Sequence, residues 1–208
     1  MVRYRKRTGF KPNANMNIYR EKLLNALLYF AKKMQHANMT KMCKLLYYFD
    51  FMHFEQAGYP SVGLVYYTFD KGPVPKDFWL EVKDGRVPED FKGKLVLNIK
   101  ADEGDSSFKE FEFKAKAEPD LSVFTPREEE ILKNLVTMFK DCTAAEMSRI
   151  THWKHEPWDI TKKQKGSNQE IEYILRIDKD SPISAEEARE SLRDFFELLD
   201  NFNLKATE

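Results

Sequence analysis

The chain has 208 residues, 42% hydrophobic and 13% aromatic, with 8 glycines and 9 prolines. That composition builds one sizeable core and excludes a disordered or fibrous chain. No apolar run approaches the roughly 18 to 20 residues that span a bilayer, and the charged start lacks a secretory apolar segment, so a cytoplasmic protein without membrane contact is expected. Acids and bases both number 34, yet Arg3, Arg5, Lys6, Arg7 and Lys11 crowd the first twelve residues with no acid among them, leaving 29 bases against 34 acids elsewhere. Residues 1–16 read as a basic arm ahead of a mildly acidic domain, 17–204. Nucleic acid is not expected as a partner, except through that arm.

In chain order, Leu23, Leu24, Leu27, Leu28, Ala31 and Met34 recur at three and four residues, which predicts a helix over 18–34. Thr40 is placed to cap a second helix, ended by Gly58-Tyr-Pro60. Gly63 opens an extended piece, Leu64 to Phe69. Lys71-Gly-Pro-Val-Pro75 reads as a rigid turn, with Pro75 at the first position of a short helix reaching Leu80. Lys94 to Ile99 and Phe108 to Lys116 read as paired strands, the second with Phe111, Phe113 and Ala115 alternating with charges. The acidic segment Asp102 to Ser107 joins them, so residues 91–117 are expected to be a strand-hairpin insertion on a helical core.

Three capping boxes mark later helix starts: Thr125-x-x-Glu128 with Pro126 behind the cap, Thr143-x-x-Glu146 and Ser184-x-x-Glu187. Between the last two lie an aromatic segment, Thr151 to Trp158, a polar loop, and Ile171 to Ile177, which reads as a strand. The expected fold class is α+β, a mostly helical single domain with a small antiparallel sheet.

The second helix carries apolar residues on two sides. Met42, Leu45, Leu46, Phe49 and His53 form one stripe, and Tyr47, Phe51 and Phe54 another roughly opposite. Two stripes imply a central helix packed on both sides. The alternative is that the aromatic stripe keeps an open edge for binding a protein. Asp50 and His53, three apart, can meet on the helix surface, either tying it to a loop or serving as an acid/base pair. No nucleophile stands nearby, and Cys43 lies roughly 15 Å from His53 along the axis.

Elsewhere, His152 and His155 have a spacing that could hold a metal with Glu156, Asp159 or Cys142, but it matches no established zinc pattern. The competing reading has His152 bonding a helix end while Trp153 and Trp158 pack. Phosphate loops, dinucleotide fingerprints and nucleophile elbows are absent from the sequence, so no cofactor and no enzymatic activity are expected; the remaining alternative is an enzyme that gathers Asp50, His53 and His152 around one pocket. Cys43 and Cys142 read as free thiols.

The stretch Lys44-Leu-Leu-Tyr47-Tyr48-Phe-Asp50, followed by Phe51, His53, Phe54, Gly58, Gly63 and Lys71-Gly72-Pro73-Val-Pro75, resembles the signature of the Panacea domain, the SocA-like antitoxin family that includes phage proteins of the GepA type. Ser148-x-x-Thr151-His152 with Pro157-Trp158, and the ending Ile183-Ser184-x-Glu-Glu-Ala188, are similar to later family blocks. The resemblance runs from about Ile18 to Phe202. It implies an antitoxin that neutralises a cognate cytoplasmic toxin by direct contact. The alternative it carries is an adaptor delivering the toxin to a ClpXP-type protease. Lys44, Leu45, Leu46, Tyr47, Asp50, Gly72, Pro73, Pro75, His152 and Trp158 are the marked positions the resemblance implies, many of them expected to be structural; Lys44, Tyr47, Tyr48, Asp50, Phe51, His53, Phe54, Gly72, Pro73, Pro75, His152 and Trp158 are also the candidates for binding.

Overall fold

The computed structural model describes residues 17–100, 110–151, 156–204 and 206–207. The basic arm, the acidic Asp102 to Ser107 connection and the pair His152 and His155 lie outside the described residues. The chain forms α1 (Ile18–Lys33), α2 (Met39–Ala57), β1 (Tyr66–Phe69), β2 (Gly72–Pro75), α3 (Lys76–Val82), β3 (Leu95–Lys100), β4 (Glu110–Ala115), α4 (Pro126–Phe139), α5 (Ala144–Thr151), α6 (Pro157–Lys165) and α7 (Ala185–Phe202). β1 pairs antiparallel with β2 and β3 with β4, giving a mostly helical α+β domain with two small sheets.

α2 is the axis of the domain: it touches α1, α4, α5, α7, β2 and β4. Both predicted stripes are buried, with Leu45, Leu46, Tyr47, Phe49 and Phe54 fully so and Phe51 only 1% exposed. Phe49 sets its ring edge-on to Phe30 of α1 and to Phe124 before α4, whereas Phe51 stacks on Tyr173 with centroids 4.5 Å apart. The stripes therefore face two halves of one core, and the expectation that the aromatic stripe leaves an edge for recognition is corrected by its burial. An α-helix exposes a flank only when one side lacks a partner. Here Tyr66 and Tyr173 close the second side.

The three capping boxes form as expected at Thr125, Thr143 and Ser184. At α2 the cap is Asn38, whose side chain accepts from the Lys41 amide, so Thr40 falls inside the first turn. Gly58 ends α2 at φ 78°, a left-handed conformation that costs glycine nothing, and a Cβ there would stand 2.8 Å from that of Ser191 on α7.

Gly72 to Pro75 is a strand, not a turn, and Pro75 is the N-cap of α3. The turn is the two residues before it, after which Gly72 takes φ 123°. Pro73 and Pro75 face Thr68 and Tyr66, whose backbone groups bond away from β2 to Gln169 and Ile171. The prolines thus occupy positions whose amide would point outward, where a missing N–H costs no ladder bond and blunts the free edge. Residues 171–177 are not a strand. After one bridge, Tyr67 to Glu170, the chain coils into a 3-10 turn, Tyr173–Arg176, which brings the Tyr173 hydroxyl inward.

The β3–β4 hairpin is a wall of the core. Phe111 and Phe113 are buried, and the Phe113 amide donates to Ala37 at 2.9 Å, tying the sheet to the α1–α2 connection. Truncation in either stripe of α2 should be costly: Leu46→Ala by about 2 to 5 kcal/mol and Phe51→Ala by about 3 to 5 kcal/mol in urea unfolding. A Phe51→Ala loss below about 1 kcal/mol would contradict the two-sided core.

Candidate functional site

Asp50 sits mid-helix on α2 and is fully buried. Its carboxylate accepts from the amides of Val62 at 2.6 Å, Gly63 at 3.4 Å and Leu64 at 3.2 Å. It also accepts from the hydroxyls of Tyr66 at 3.0 Å and Tyr173 at 3.3 Å. No cation pairs with it among the described residues. Burial pushes the carboxyl up from 3.8 to about 6, against the pull of the donors around it. Gly63, at φ 80° and packed on Phe195, lets the loop bend until consecutive amides point at one carboxylate.

His53 does not meet Asp50. Its Nδ1 lies 2.8 Å from the Tyr59 carbonyl, and burial lowers its pKa, so the neutral ring ties α2 to the loop after it. The expected acid/base pair is therefore two separate struts. Cys43 is buried and its thiol is pushed up to about 12 by burial, which leaves it unreactive.

Two lysines of α2 are buried as well. Lys44 Nζ donates to the Lys71 carbonyl in the β1–β2 turn at 2.6 Å, and burial lowers its pKa from 10.5 to about 8. Lys41, which the sequence reading passed over, donates to the carbonyls of Gln35 at 2.8 Å, Lys140 at 3.1 Å and Cys142 at 2.7 Å. It thus satisfies backbone acceptors left open past the ends of α1 and α4. A lysine three residues before another on an otherwise apolar helix is the sequence signal that points to it.

The other signature residues converge on the same sheet. Trp158, buried at the start of α6, donates its indole N–H to the Phe69 carbonyl at 3.2 Å. Gly72, Pro73 and Pro75 are β2 itself. Tyr47 packs its ring against Tyr66, and Phe54 lies beside Tyr173. Tyr48, on the far side of α2, stacks on Phe139. His152 lies outside the described residues, so its place in this arrangement is not part of the geometry. Among the described residues no group of three or more His, Cys, Asp or Glu is gathered as a metal would need. None of their helices is long and apolar enough to cross a membrane.

Outside this buried frame, a groove of about 380 Å³ runs between residues 170–174 and α7, floored by Ile171, Leu192 and Phe196 and edged by Arg189 and Arg193. It is the feature of α7 that sequence periodicity could not place, since it depends on a coil rather than on the helix alone.

The Asp50 geometry predicts a pH signature. The folded carboxyl titrates near 6 and the unfolded one near 3.8, so between these values the folded state holds the extra proton. Stability contributed by this group falls as pH rises through that window and is flat above it. Asp50→Asn, measured by urea unfolding from pH 4 to 7, should lose about 1 to 3 kcal/mol and show a profile lacking that slope relative to the wild type. An unchanged difference between the two proteins at every pH would contradict the titration.

The family model described as antitoxin SocA-like, Panacea domain, matches residues 42–159. The match begins within α2 and ends in α6, spanning more than half of the chain and leaving α1 and α7 outside it. No curated protein and no solved structure matches the chain. On the strength of the family match, and with its signature residues found holding α2 to the β1–β2 hairpin, the chain belongs to the SocA-like antitoxin family and carries its Panacea domain.

Proposed function

We propose that the protein is the antitoxin of a toxin–antitoxin pair and neutralises a cognate cytoplasmic toxin by direct protein–protein binding. The reading is supported by family membership and carried by one observation: Asp50 and His53, two of the residues that sequence alone would nominate for chemistry, are consumed by the scaffold. Asp50 accepts from three amides and two hydroxyls, and His53 is bonded to a backbone carbonyl. A carboxylate and an imidazole so engaged and so buried have no approach for a substrate. What the fold offers to solvent is surface, and surface is what a neutralising binder uses.

The product of the adjacent gene is the natural first partner to test. Co-expression should restore growth to cells poisoned by it, and the two proteins should co-purify in stable proportion. In cells lacking ClpX or ClpP, rescue should persist and the toxin's half-life should not change. Neither binding nor rescue would overturn the antitoxin reading. Rescue that disappears with the protease, accompanied by toxin degradation in the wild type, would replace neutralisation with the adaptor role.

A further inference from the structure

We propose that residues 1–16 dock on the outward flank of α7, laying their bases against its carboxylates and their apolar side chains on Leu198 and Phe202. The contact is intramolecular and stands independently of the antitoxin reading. Leu198 and Phe202 are 43% and 71% exposed. A single exposed apolar residue is ordinary, but these two stand one turn apart on a helix that already buries Ala188, Phe195 and Leu199 against the domain. They form a second apolar stripe, open to solvent.

The stripe lies beside the point where the chain enters the domain. Tyr19, in the first turn of α1, sets its ring edge-on to Phe195 with centroids 5.3 Å apart, and Arg20 donates to the Ala206 carbonyl beyond the end of α7 at 2.8 Å. Phe195, Leu198 and Phe202 follow one another at three and four residues, so they share one side of the helix. About 10 Å of axis separates Phe195 from Phe202. Roughly three or four residues of extended chain cover that distance, and the segment ahead of Asn17 has sixteen.

Charge selects the same occupant. α7 holds six acids, Glu186, Glu187, Glu190, Asp194, Glu197 and Asp200, against Arg189 and Arg193 within it and Lys205 just beyond it. At 100° per residue, Glu190, Asp194 and Glu197 fall on the exposed flank next to Leu198, while Arg189 and Arg193 turn toward the groove against residues 170–174. Arg193 approaches Asp194 only at 3.8 Å, with both side chains exposed. The bases at the start of α1 are engaged elsewhere, Arg20 with Asp90 and Glu81 and Lys22 with Glu128. Residues 1–16 bring Arg3, Arg5, Lys6, Arg7 and Lys11 with no acid, interspersed with Val2, Tyr4 and Phe10. A basic segment with apolar residues between its charges complements an acidic flank with an apolar edge. Covalent attachment places it there at an effective concentration on the order of mM, ahead of a second copy or a free polyanion. Docked in this way, the bases meet the chain's own carboxylates and are withheld from phosphates.

The test uses the full-length chain with a nitroxide on Thr8→Cys, in a Cys142→Ser background because Cys43 is buried, and reads the contact as paramagnetic broadening of backbone amide signals. Amides from Glu190 to Phe202 should lose their signal. Those of α5 should keep theirs, since α5 lies by the start of α2 and α7 by its end. The loss should fade at about 1 M salt, where the screening length is about 3 Å. Arg3→Glu/Arg5→Glu/Arg7→Glu and Glu190→Lys/Asp194→Lys/Glu197→Lys should each restore the α7 signals, and the two sets combined should abolish them again. Leu198→Ser/Phe202→Ser should restore much of the signal. Unchanged α7 signals in the labelled parent, loss spread evenly over the domain, or loss that survives either charge reversal or the double serine variant would overturn the proposal. So would broadening that arises only when a spin-labelled copy is mixed with an isotope-labelled one, which would assign the flank to a second copy.

Discussion

The fold depends on one buried carboxyl group. Asp50 lies at the middle of the central helix and receives the amides of Val62, Gly63 and Leu64 with the hydroxyls of Tyr66 and Tyr173. A carboxylate in an apolar interior is unfavourable unless its lone pairs are filled, and here five donors from two distant chain segments fill them. The segments so recruited are the loop that leads into β1 and the coil that lies on its other edge. The single Tyr173 hydroxyl proton is shared between the Leu64 carbonyl at 2.5 Å and the carboxylate at 3.3 Å, so this phenol braces the loop and the helix together. Removing the carboxylate would take this acceptor from three amides and the Tyr66 hydroxyl.

From this anchor the rest of the architecture follows. α2 must be central, because its polar hub and its two apolar stripes all require cover. The buried ammonium groups of Lys41 and Lys44 extend the same logic to each flank, one closing the end of α4 and the other the tip of the β1–β2 hairpin. In this chain, residues of the signature stretch fasten a hairpin to a helix.

Much of this was legible in the sequence, and the rest was hidden for physical reasons. The helices announced themselves by period and by capping boxes, which are local. The double stripe of α2 gave its central position, since apolar residues all round a helix have one ordinary explanation. What failed was non-local. Gly72 to Pro75 looked like a turn because proline disrupts a ladder. Only the pairing register shows that both prolines point away from the partner strand. Asn38 rather than Thr40 caps α2, a choice between two adequate side chains two residues apart. Residues 171–177 have strand composition, but Tyr173 turns inward to reach Asp50, 123 residues away in sequence. The Asp50 and His53 spacing suggested a pair, yet each finds a backbone partner closer than the other.

The most direct test of Asp50 as the anchor is amide hydrogen exchange in Asp50→Asn compared with the wild type under conditions where both stay folded. An amide side chain cannot accept from three backbone donors and two hydroxyls as a carboxylate does. Protection should collapse at Val62 and Leu64 and through Tyr66 to Val74, while α1 and α4 keep theirs. Protection lost evenly across the whole domain, or kept intact in the loop and hairpin, would contradict the claim that this single carboxylate holds the hairpin to the helix.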